Sequence, residues 1–256
     1  MNIFRLTGDL LHLFAIVGLL YKIWKTENCS GISGKTQLLF AIVYTVRYVD
    51  LITSYISVYN SSLKIIFITI SYVTVYLIYI RLQSTYEHTR DTFRIELLIL
   101  GAMILAIFIN HEFTVMEVLW SFSIYLEAVA MLPQLFFVAK AGEKKRTMNY
   151  YVFAMATYKG FYILNWIYRY YTQDFYDFIA VGAGIVHVVV YFSYFCIPIY
   201  KKESDLSYNA EKTPVLTMQS PTPQYISNCL LAETKDEFPK IHKGTKQEKS
   251  DLANSV

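Results

Sequence analysis

Apolar runs of membrane-spanning length dominate the first 200 residues of this chain. Seven such runs can be distinguished, at about 3–21, 37–57, 63–81, 95–111, 116–139, 149–170 and 177–200. A helix needs about 20 apolar residues to cross the roughly 30 Å of hydrocarbon in a bilayer. The pattern therefore predicts an all-α membrane protein with seven transmembrane helices and short connections between them.

The distribution of lysine and arginine predicts the orientation of these helices. The connections after the first, third and fifth runs carry clusters of Lys and Arg, whereas those at 59–62, 110–115 and 171–177 contain none. Cytoplasmic connections are enriched in Lys and Arg. We therefore expect a lumenal N-terminus and a cytosolic C-terminus, which requires an odd number of spans.

The composition changes at about residue 203, where Lys, Glu, Ser, Thr, Pro and Gln replace the apolar residues. Such a composition cannot bury enough apolar surface to fold alone. The sequence thus predicts a membrane domain at 1–202 and a disordered cytosolic tail at 203–256.

Composition and cysteine spacing narrow the classes of function. Hydrophobic residues make up 55% of the chain, the formal net charge is only +3, and the three cysteines are scattered without metal-ligand spacing. No basic patch interleaved with aromatic residues indicates nucleic-acid binding. No nucleophile–base pair or ligand cluster indicates an enzyme, a metal or a cofactor.

Ionisable and polar residues recur in the expected lumenal halves of four of the runs. They are Arg5 and His12 in the first run, Arg47, Asp50 and Ser54 in the second, Glu117, Trp120 and Glu127 in the fifth, and Tyr158, Tyr162, Asn165, Trp166 and Arg169 in the sixth. Those of the sixth run follow i, i+4, i+7, i+8, i+11 spacing, which is one stripe on a helix. Charges at membrane depth usually face a polar cavity or a ligand.

If these faces converge, they line a pocket that opens to the lumen and is closed towards the cytosol. The three arginines would favour carboxylate ligands, because a guanidinium group binds a carboxylate through two parallel hydrogen bonds. The alternative is that the charges only pair with Asp50, Glu117 and Glu127 to hold the helices together. His12 is either a hydrogen-bonded structural residue or a pH-dependent charge beneath the pocket, since histidine titrates between about pH 5 and 8.

Several short runs resemble one family of membrane receptors over about residues 1–200. They are Met1-Asn2, Phe4-Arg5, Gly8-Asp9-Leu10, Cys29-Ser30-Gly31-Ile32-Ser33-Gly34-Lys35, Arg47-Tyr48-Val49-Asp50-Leu51, Asp91-Thr92-Phe93-Arg94, Phe122-Ser123-Ile124-Tyr125-Leu126-Glu127, Leu132-Pro133-Gln134-Leu135 and Asn165-Trp166-Ile167-Tyr168-Arg169-Tyr170. In these runs the chain resembles the ER lumenal protein-retaining receptors, the KDEL receptors.

The resemblance implies a fold, a ligand and a location. The fold would be that of the SWEET and PQ-loop transporters, with two three-helix bundles and the fourth span as linker. The ligand would be the C-terminal Lys-Asp-Glu-Leu or His-Asp-Glu-Leu signal of escaped ER proteins, bound in the acidic Golgi and released in the ER. The protein would reside among the lipids of ER, cis-Golgi and COPI-vesicle membranes and would engage the COPI coat.

The resemblance also implies roles for single residues. Arg47 and Tyr48 would bind the terminal carboxylate, Arg5 the peptide Glu, and Arg169 the peptide Asp. Glu117 would bind the Lys ammonium beside Trp120 or Trp166. The remaining peptide-site residues would be Asp50, Ser54, Lys159, Tyr162 and Asn165, and the pH-sensing residues His12, Glu127 and Tyr158.

Four features depart from the family pattern. Ser193 stands where an acidic residue linked to retrograde transport is usual, and Ser54 where Asn is common. The basic cluster for the COPI coat is reduced to Lys201 and Lys202. His187 replaces an uncharged polar residue, and we interpret it as a packing residue in preference to a titrating one.

A PQ-loop type transporter of a small solute or amino acid is the alternative function. Such a transporter needs a polar path to the cytosol. The cytosolic halves of the first two runs, at 16–20 and 38–43, are nearly all apolar, which argues against a path.

Overall fold

The computed structural model describes residues 2–51, 57–141, 146–174 and 176–212, without the side chains of 141, 146–147 and 197–212. The described residues form helices and connecting turns, as predicted, and no strands. The α-helices are α1 (Ile3–Thr26), α2 (Gly34–Arg47), α3 (Val58–Tyr76), α4 (Ile95–Phe108), α5 (Val115–Val129), α6 (Leu132–Ala141), α7 (Arg146–Gln173) and α8 (Phe178–Lys212). A π-helical turn, Leu77–Arg81, extends α3, and short 3₁₀ turns cover Val49–Leu51 and Gln83–Thr85.

Polar side chains fix where several helices begin. At each start, a side-chain oxygen accepts a hydrogen bond from the backbone N–H three residues later, which satisfies a donor that has no partner inside the helix. The capping residues are Asn2 for α1, Ser33 for α2, Ser57 for α3, Thr114 for α5 and Asp177 for α8.

Four described segments are long and apolar enough to cross a membrane: Ile3–Thr26, Val58–Arg81, Val115–Lys140 and Phe178–Cys196. Ile95–Phe108 is apolar but shorter. Large apolar side chains point outward from these helices, among them Phe14 at 74% exposure and Phe192 at 67%. Exposed apolar surface of this extent is typical of a protein that contacts lipid, and it identifies the chain as a multi-pass membrane protein.

The second and fifth apolar runs are interrupted. The run predicted to span 37–57 as one helix leaves α-helical geometry after Arg47, and Val49–Leu51 forms a 3₁₀ turn. Residues 52–56, and Ser54 with them, lie outside the described part. The fifth run divides into α5 and α6 just before Pro133. A proline is tolerated in the first turn of a helix but cannot continue a preceding one.

The helices pack around a core in which α1 contacts α7 and α3, while α2 contacts α3, α5 and α6, and α4 contacts α5. This arrangement brings the polar positions of α1, α2, α5 and α7 towards one another. The last helix continues to Lys212.

A buried polar network ties the start of α2 to the loop before α4 and to α6. Ser33 Oγ donates to the Asp91 carboxylate at 2.9 Å, and the Ser33 N–H donates to Gln134 Oε1 at 2.7 Å. Tyr86 donates to the same carboxylate at 2.6 Å. The Gln134 N–H donates to Thr36 Oγ1 at 3.0 Å. This end of the bundle is therefore closed by side chains that satisfy one another.

Candidate functional site

A buried carboxylate on α5 lies at the centre of the polar residues. Glu127 is 2% exposed. Its oxygens lie 2.7 Å from Arg47 Nη1 and 3.2 Å from Lys159 Nζ, and Tyr158 donates its hydroxyl to the same carboxylate. The structure thus joins residues of α2, α5 and α7 in one ion cluster, which we call the Glu127 cluster (Arg47, Glu127, Tyr158 and Lys159).

Arg47 ends α2, and its guanidinium group is only partly satisfied. Nη1 pairs with Glu127, and Nε donates to Ser123 Oγ at 3.0 Å. Nη2 is buried and has no hydrogen-bond partner among the described residues. A buried donor without a partner costs free energy, and an acceptor that reached this nitrogen would recover that cost.

His12 of α1 packs against the Glu127 cluster without joining its ion pairs. Its ring stacks on Tyr158 at 4.1 Å between centroids and 4° between planes. Its Nε2 lies 2.7 Å from the Tyr44 hydroxyl. The three residues expected to sense pH (His12, Glu127 and Tyr158) therefore lie together, with the tyrosine between the other two.

His187 of α8 packs on the edge of the same tyrosine. The ring is fully buried, lies 5.8 Å from the Tyr158 ring at 84°, and stacks on Tyr191 at 4.2 Å. This position agrees with the packing role expected from the sequence.

Asp50 pairs with a lysine that the sequence pattern did not indicate. Lys64 Nζ of α3 lies 2.6 Å from Asp50 Oδ2, and the lysine side chain is only 8% exposed. The same ammonium lies 5.9 Å from the centre of the Tyr48 ring. The signal that could have found this pair is a lysine near the start of an apolar run, at a depth similar to that of Asp50.

Asp9 is a further buried polar residue whose contacts the sequence pattern did not indicate. It is 8% exposed and accepts hydrogen bonds from Tyr162 of α7 and, at 3.4 Å, from Tyr59 of α3. Nearby, Asn2 Nδ2 donates to Asn165 Oδ1 at 2.7 Å. The polar stripe of α7 therefore faces α1.

The three arginines expected to bind carboxylates differ in their surroundings. Arg47 belongs to the Glu127 cluster. Arg5 is exposed on α1, one helical turn before Asp9. Arg169 is half-buried, and its Nε donates to Gln173 Oε1 at 2.9 Å.

Glu117 lies one helical turn before Trp120 in the first part of α5. Its Oε1 is buried and has no hydrogen-bond partner within the described ranges. Trp120 lies 6.0 Å, between ring centroids, from His111. On α7, Trp166 packs against Tyr162 at 6.2 Å. An unsatisfied carboxylate oxygen can accept a hydrogen bond from a cationic ligand.

The residues expected to direct trafficking lie on α8. Ser193 Oγ donates to the Val189 carbonyl at 2.9 Å, within its own helix. Lys201 and Lys202 continue the helix, but their side chains lie outside the described part.

Comparison with known proteins identifies close relatives. A family model described as "ER lumen protein retaining receptor" matches residues 28–169. The "ER lumen protein-retaining receptor" of Drosophila melanogaster is 55% identical over 201 residues, which cover 78% of this chain and 95% of that protein. The "ER lumen protein-retaining receptor 2" proteins of Homo sapiens and Gallus gallus are 54% identical over the same shares.

Proposed function

This chain belongs to the ER lumen protein retaining receptor family, and from that premise we propose how it recognises its ligand. It is a retention receptor and not an enzyme. Its ligand is the C-terminal Lys-Asp-Glu-Leu type signal of escaped ER proteins. It binds this signal in the acidic Golgi and returns with it to the ER.

The unsatisfied Nη2 of Arg47 is the observation that carries this proposal. Two of the three guanidinium nitrogens are held by Glu127 and Ser123, which fixes the orientation of the third. A terminal carboxylate would satisfy it with a charge-assisted hydrogen bond. A side-chain amide or a neutral solute would supply only a weaker acceptor.

The charges in the Glu127 cluster support an anionic ligand. Arg47 and Lys159 are two cations, and Glu127 is the one carboxylate that pairs with them in the described part of the chain. A buried charge without a partner is costly. The ligand carboxylate would complete the balance.

The remaining peptide groups are assigned to the other polar residues of the first, second, fifth and sixth apolar runs. Arg5 binds the peptide Glu, and Arg169 binds the peptide Asp. Glu117 binds the ammonium of the first residue through its unsatisfied Oε1, beside the ring of Trp120 or Trp166. Tyr48, Asp50, Ser54, Lys159, Tyr162 and Asn165 complete the peptide site.

We further propose seven spans, in the two-bundle arrangement of the SWEET and PQ-loop proteins, with the N-terminus in the lumen. His12 then lies beneath the peptide site and makes binding stronger at lower pH, because its protonation adds positive charge beside an acidic ligand. Glu127 and Tyr158 act with it. Release follows in the less acidic ER.

Peptide binding by the full-length protein in detergent tests the proposal. Tetrapeptides ending in Lys-Asp-Glu-Leu should bind more tightly at about pH 5.5 than at about pH 7.4. Arg47→Ala should abolish binding and Arg47→Lys should weaken it, because a lysine lacks the planar fork. Arg81→Ala is the matched control, since Arg81 forms an exposed pair with Glu27. Tight binding of a peptide with an amidated C-terminus would refute the role of Arg47.

Return to the ER is a separate step from peptide binding. We propose that Ser193 and the reduced basic cluster at Lys201 and Lys202 weaken the response to the COPI coat without affecting the peptide site. Ser193→Asp should then increase the fraction of receptor that moves from Golgi to ER when cargo is overexpressed, as measured by live-cell imaging. An unchanged distribution would show that Ser193 does not limit transport.

A further inference from the structure

We propose that Asp9 holds the hydroxyl group of Tyr162 as a hydrogen-bond acceptor. In this way Asp9 determines which chemical group of a bound peptide can form a hydrogen bond with Tyr162. The proposal rests on the proposed peptide-binding function and adds a specificity-determining residue to it. Asp9 is a positioning residue here, because it acts through Tyr162.

Asp9 ties three helices together. Its two oxygens accept from hydroxyl groups of α7 and α3, and the residue itself belongs to α1. Tyr162 provides the stronger contact, since the Tyr59 hydroxyl lies 3.4 Å away. The carboxylate is only 8% exposed, so water competes little for these hydrogen bonds.

Gly8 makes the contact with Tyr162 possible. A Cβ atom at this position would lie 2.8 Å from Cδ2 of the Tyr162 ring, closer than side chains approach one another. The ring therefore packs directly on the backbone of α1. This places its hydroxyl against Asp9, the next residue in the chain.

The direction of this hydrogen bond has a chemical consequence. A phenol has a single O–H donor and two acceptor positions. Because the Tyr162 proton is given to Asp9, only the lone pairs of the oxygen remain for a ligand. Tyr162 can thus accept from a peptide N–H or an ammonium group, but it cannot donate to a peptide carboxylate.

Tyr162 is well placed to make such a contact. Its ring packs against Trp166 at 6.2 Å and against Tyr158 of the Glu127 cluster at 6.0 Å. Lys159 Nζ lies 6.0 Å from the centre of the ring. The tyrosine therefore lies between the Glu127 cluster and the residues assigned to the start of the peptide.

A panel of tetrapeptides that lack one donor at a time tests this inference. In three of them an ester replaces one backbone amide, in the fourth norleucine replaces lysine, and in the fifth a hydrogen replaces the α-amino group. The dissociation constants are measured with the full-length wild type, Asp9→Leu, Asp9→Asn, Tyr162→Phe and, as matched control, Tyr171→Phe, whose ring is 80% exposed.

One donor in the panel should depend on Tyr162. Its removal should weaken binding to the wild type by about three- to tenfold, the range of a single hydrogen bond. The same removal should have no effect in Tyr162→Phe, which lacks the oxygen, and a smaller effect in Asp9→Leu, where the hydroxyl is free to rotate and is no longer held as an acceptor. Asp9→Asn should retain the effect, because its side-chain oxygen still accepts from Tyr162. Tyr171→Phe should behave as wild type.

Several outcomes would overturn the inference. If every donor removal has the same effect in Tyr162→Phe as in wild type, Tyr162 does not accept from the peptide. If donor removal has the same effect on the dissociation constant in Asp9→Leu as in wild type, Asp9 does not hold Tyr162 as an acceptor. The same conclusion follows if the effect is lost in Asp9→Asn. Should Asp9→Leu fail to fold, Asp9→Ala, which also removes the acceptor of the tyrosine proton, takes its place in the comparison. Failure of the wild type to bind any peptide would instead refute the proposed function.

Discussion

The Glu127 cluster should dominate the stability of the membrane domain, and Glu127→Gln tests this. The substitution preserves size and shape but removes the negative charge. A glutamine side chain has one accepting oxygen and one NH₂ group. It can therefore satisfy either Arg47 or Lys159, while its NH₂ group faces the other cation.

The expected magnitude follows from the burial of the cluster. Glu127 is 2% exposed, and the side chains of Arg47 and Lys159 are 16% and 9% exposed. Removal of one partner of a buried ion pair costs about 3–5 kcal/mol, because the remaining charge stays buried. For a domain of this size, each kcal/mol corresponds to about 2–4 °C in Tm. We therefore expect a fall of roughly 6–20 °C.

Thermal unfolding of the purified full-length protein in detergent, without peptide, measures the effect. Glu117→Gln is the matched control, because it makes the same chemical change on the same helix at a carboxylate that no described cation pairs with. Its Tm should stay within about 2 °C of wild type, as expected for a change that breaks no ion pair. A Tm for Glu127→Gln as high as that of the control would refute the claim that Glu127 holds two buried cations.

Two further substitutions test local packing and a polar contact. Gly8→Ala should weaken peptide binding several-fold, because the new Cβ would lie 2.8 Å from the Tyr162 ring. Gly18→Ala is the control on the same helix: its new Cβ would have no atom within 4 Å, so peptide binding should be unchanged. Burial, with the hydrogen bond to Asp91, raises the pKa of Tyr86 well above its ordinary value. Tyr86→Phe should therefore lower the free energy of unfolding by about 1.5–3 kcal/mol at neutral pH. A group whose pKa is raised by folding contributes less to the free energy of unfolding as the pH rises above the pKa that it has in the unfolded chain. The free energies of unfolding of Tyr86→Phe and wild type, measured with denaturant, should therefore differ less above about pH 10.

The sequence predicted an all-helical, multi-pass membrane protein because apolar runs of about 20 residues leave few alternatives in a bilayer. It did not predict the break after Arg47, since no proline or glycine marks that position. The segment is polar on one side, and its backbone leaves α-helical geometry where Asp50 meets Lys64. Such a contact depends on how α2 and α3 are rotated against each other, which periodicity alone does not determine.

The contacts that the polar residues make could not be predicted from their places in the sequence. In the sequence, Arg5 and Asp9 are separated by four residues, the spacing of an ion pair along one helix. In the structure, Asp9 instead accepts from tyrosines that are 50 and 153 residues away. The depth of a residue can be estimated from its place in a run, but its partner depends on the packing of separate helices.

The charge balance of the cluster explains why a receptor of this kind would be less stable without its ligand. Arg47 and Lys159 share one carboxylate in the part of the chain that the structure describes, so the empty site carries the cost of an excess buried cation. In the complex proposed above, a peptide carboxylate would remove that cost, and part of the binding free energy would then appear as added stability of the fold. A neutral solute could not do this. On this proposal, the excess of positive charge selects for a ligand that ends in a carboxylate.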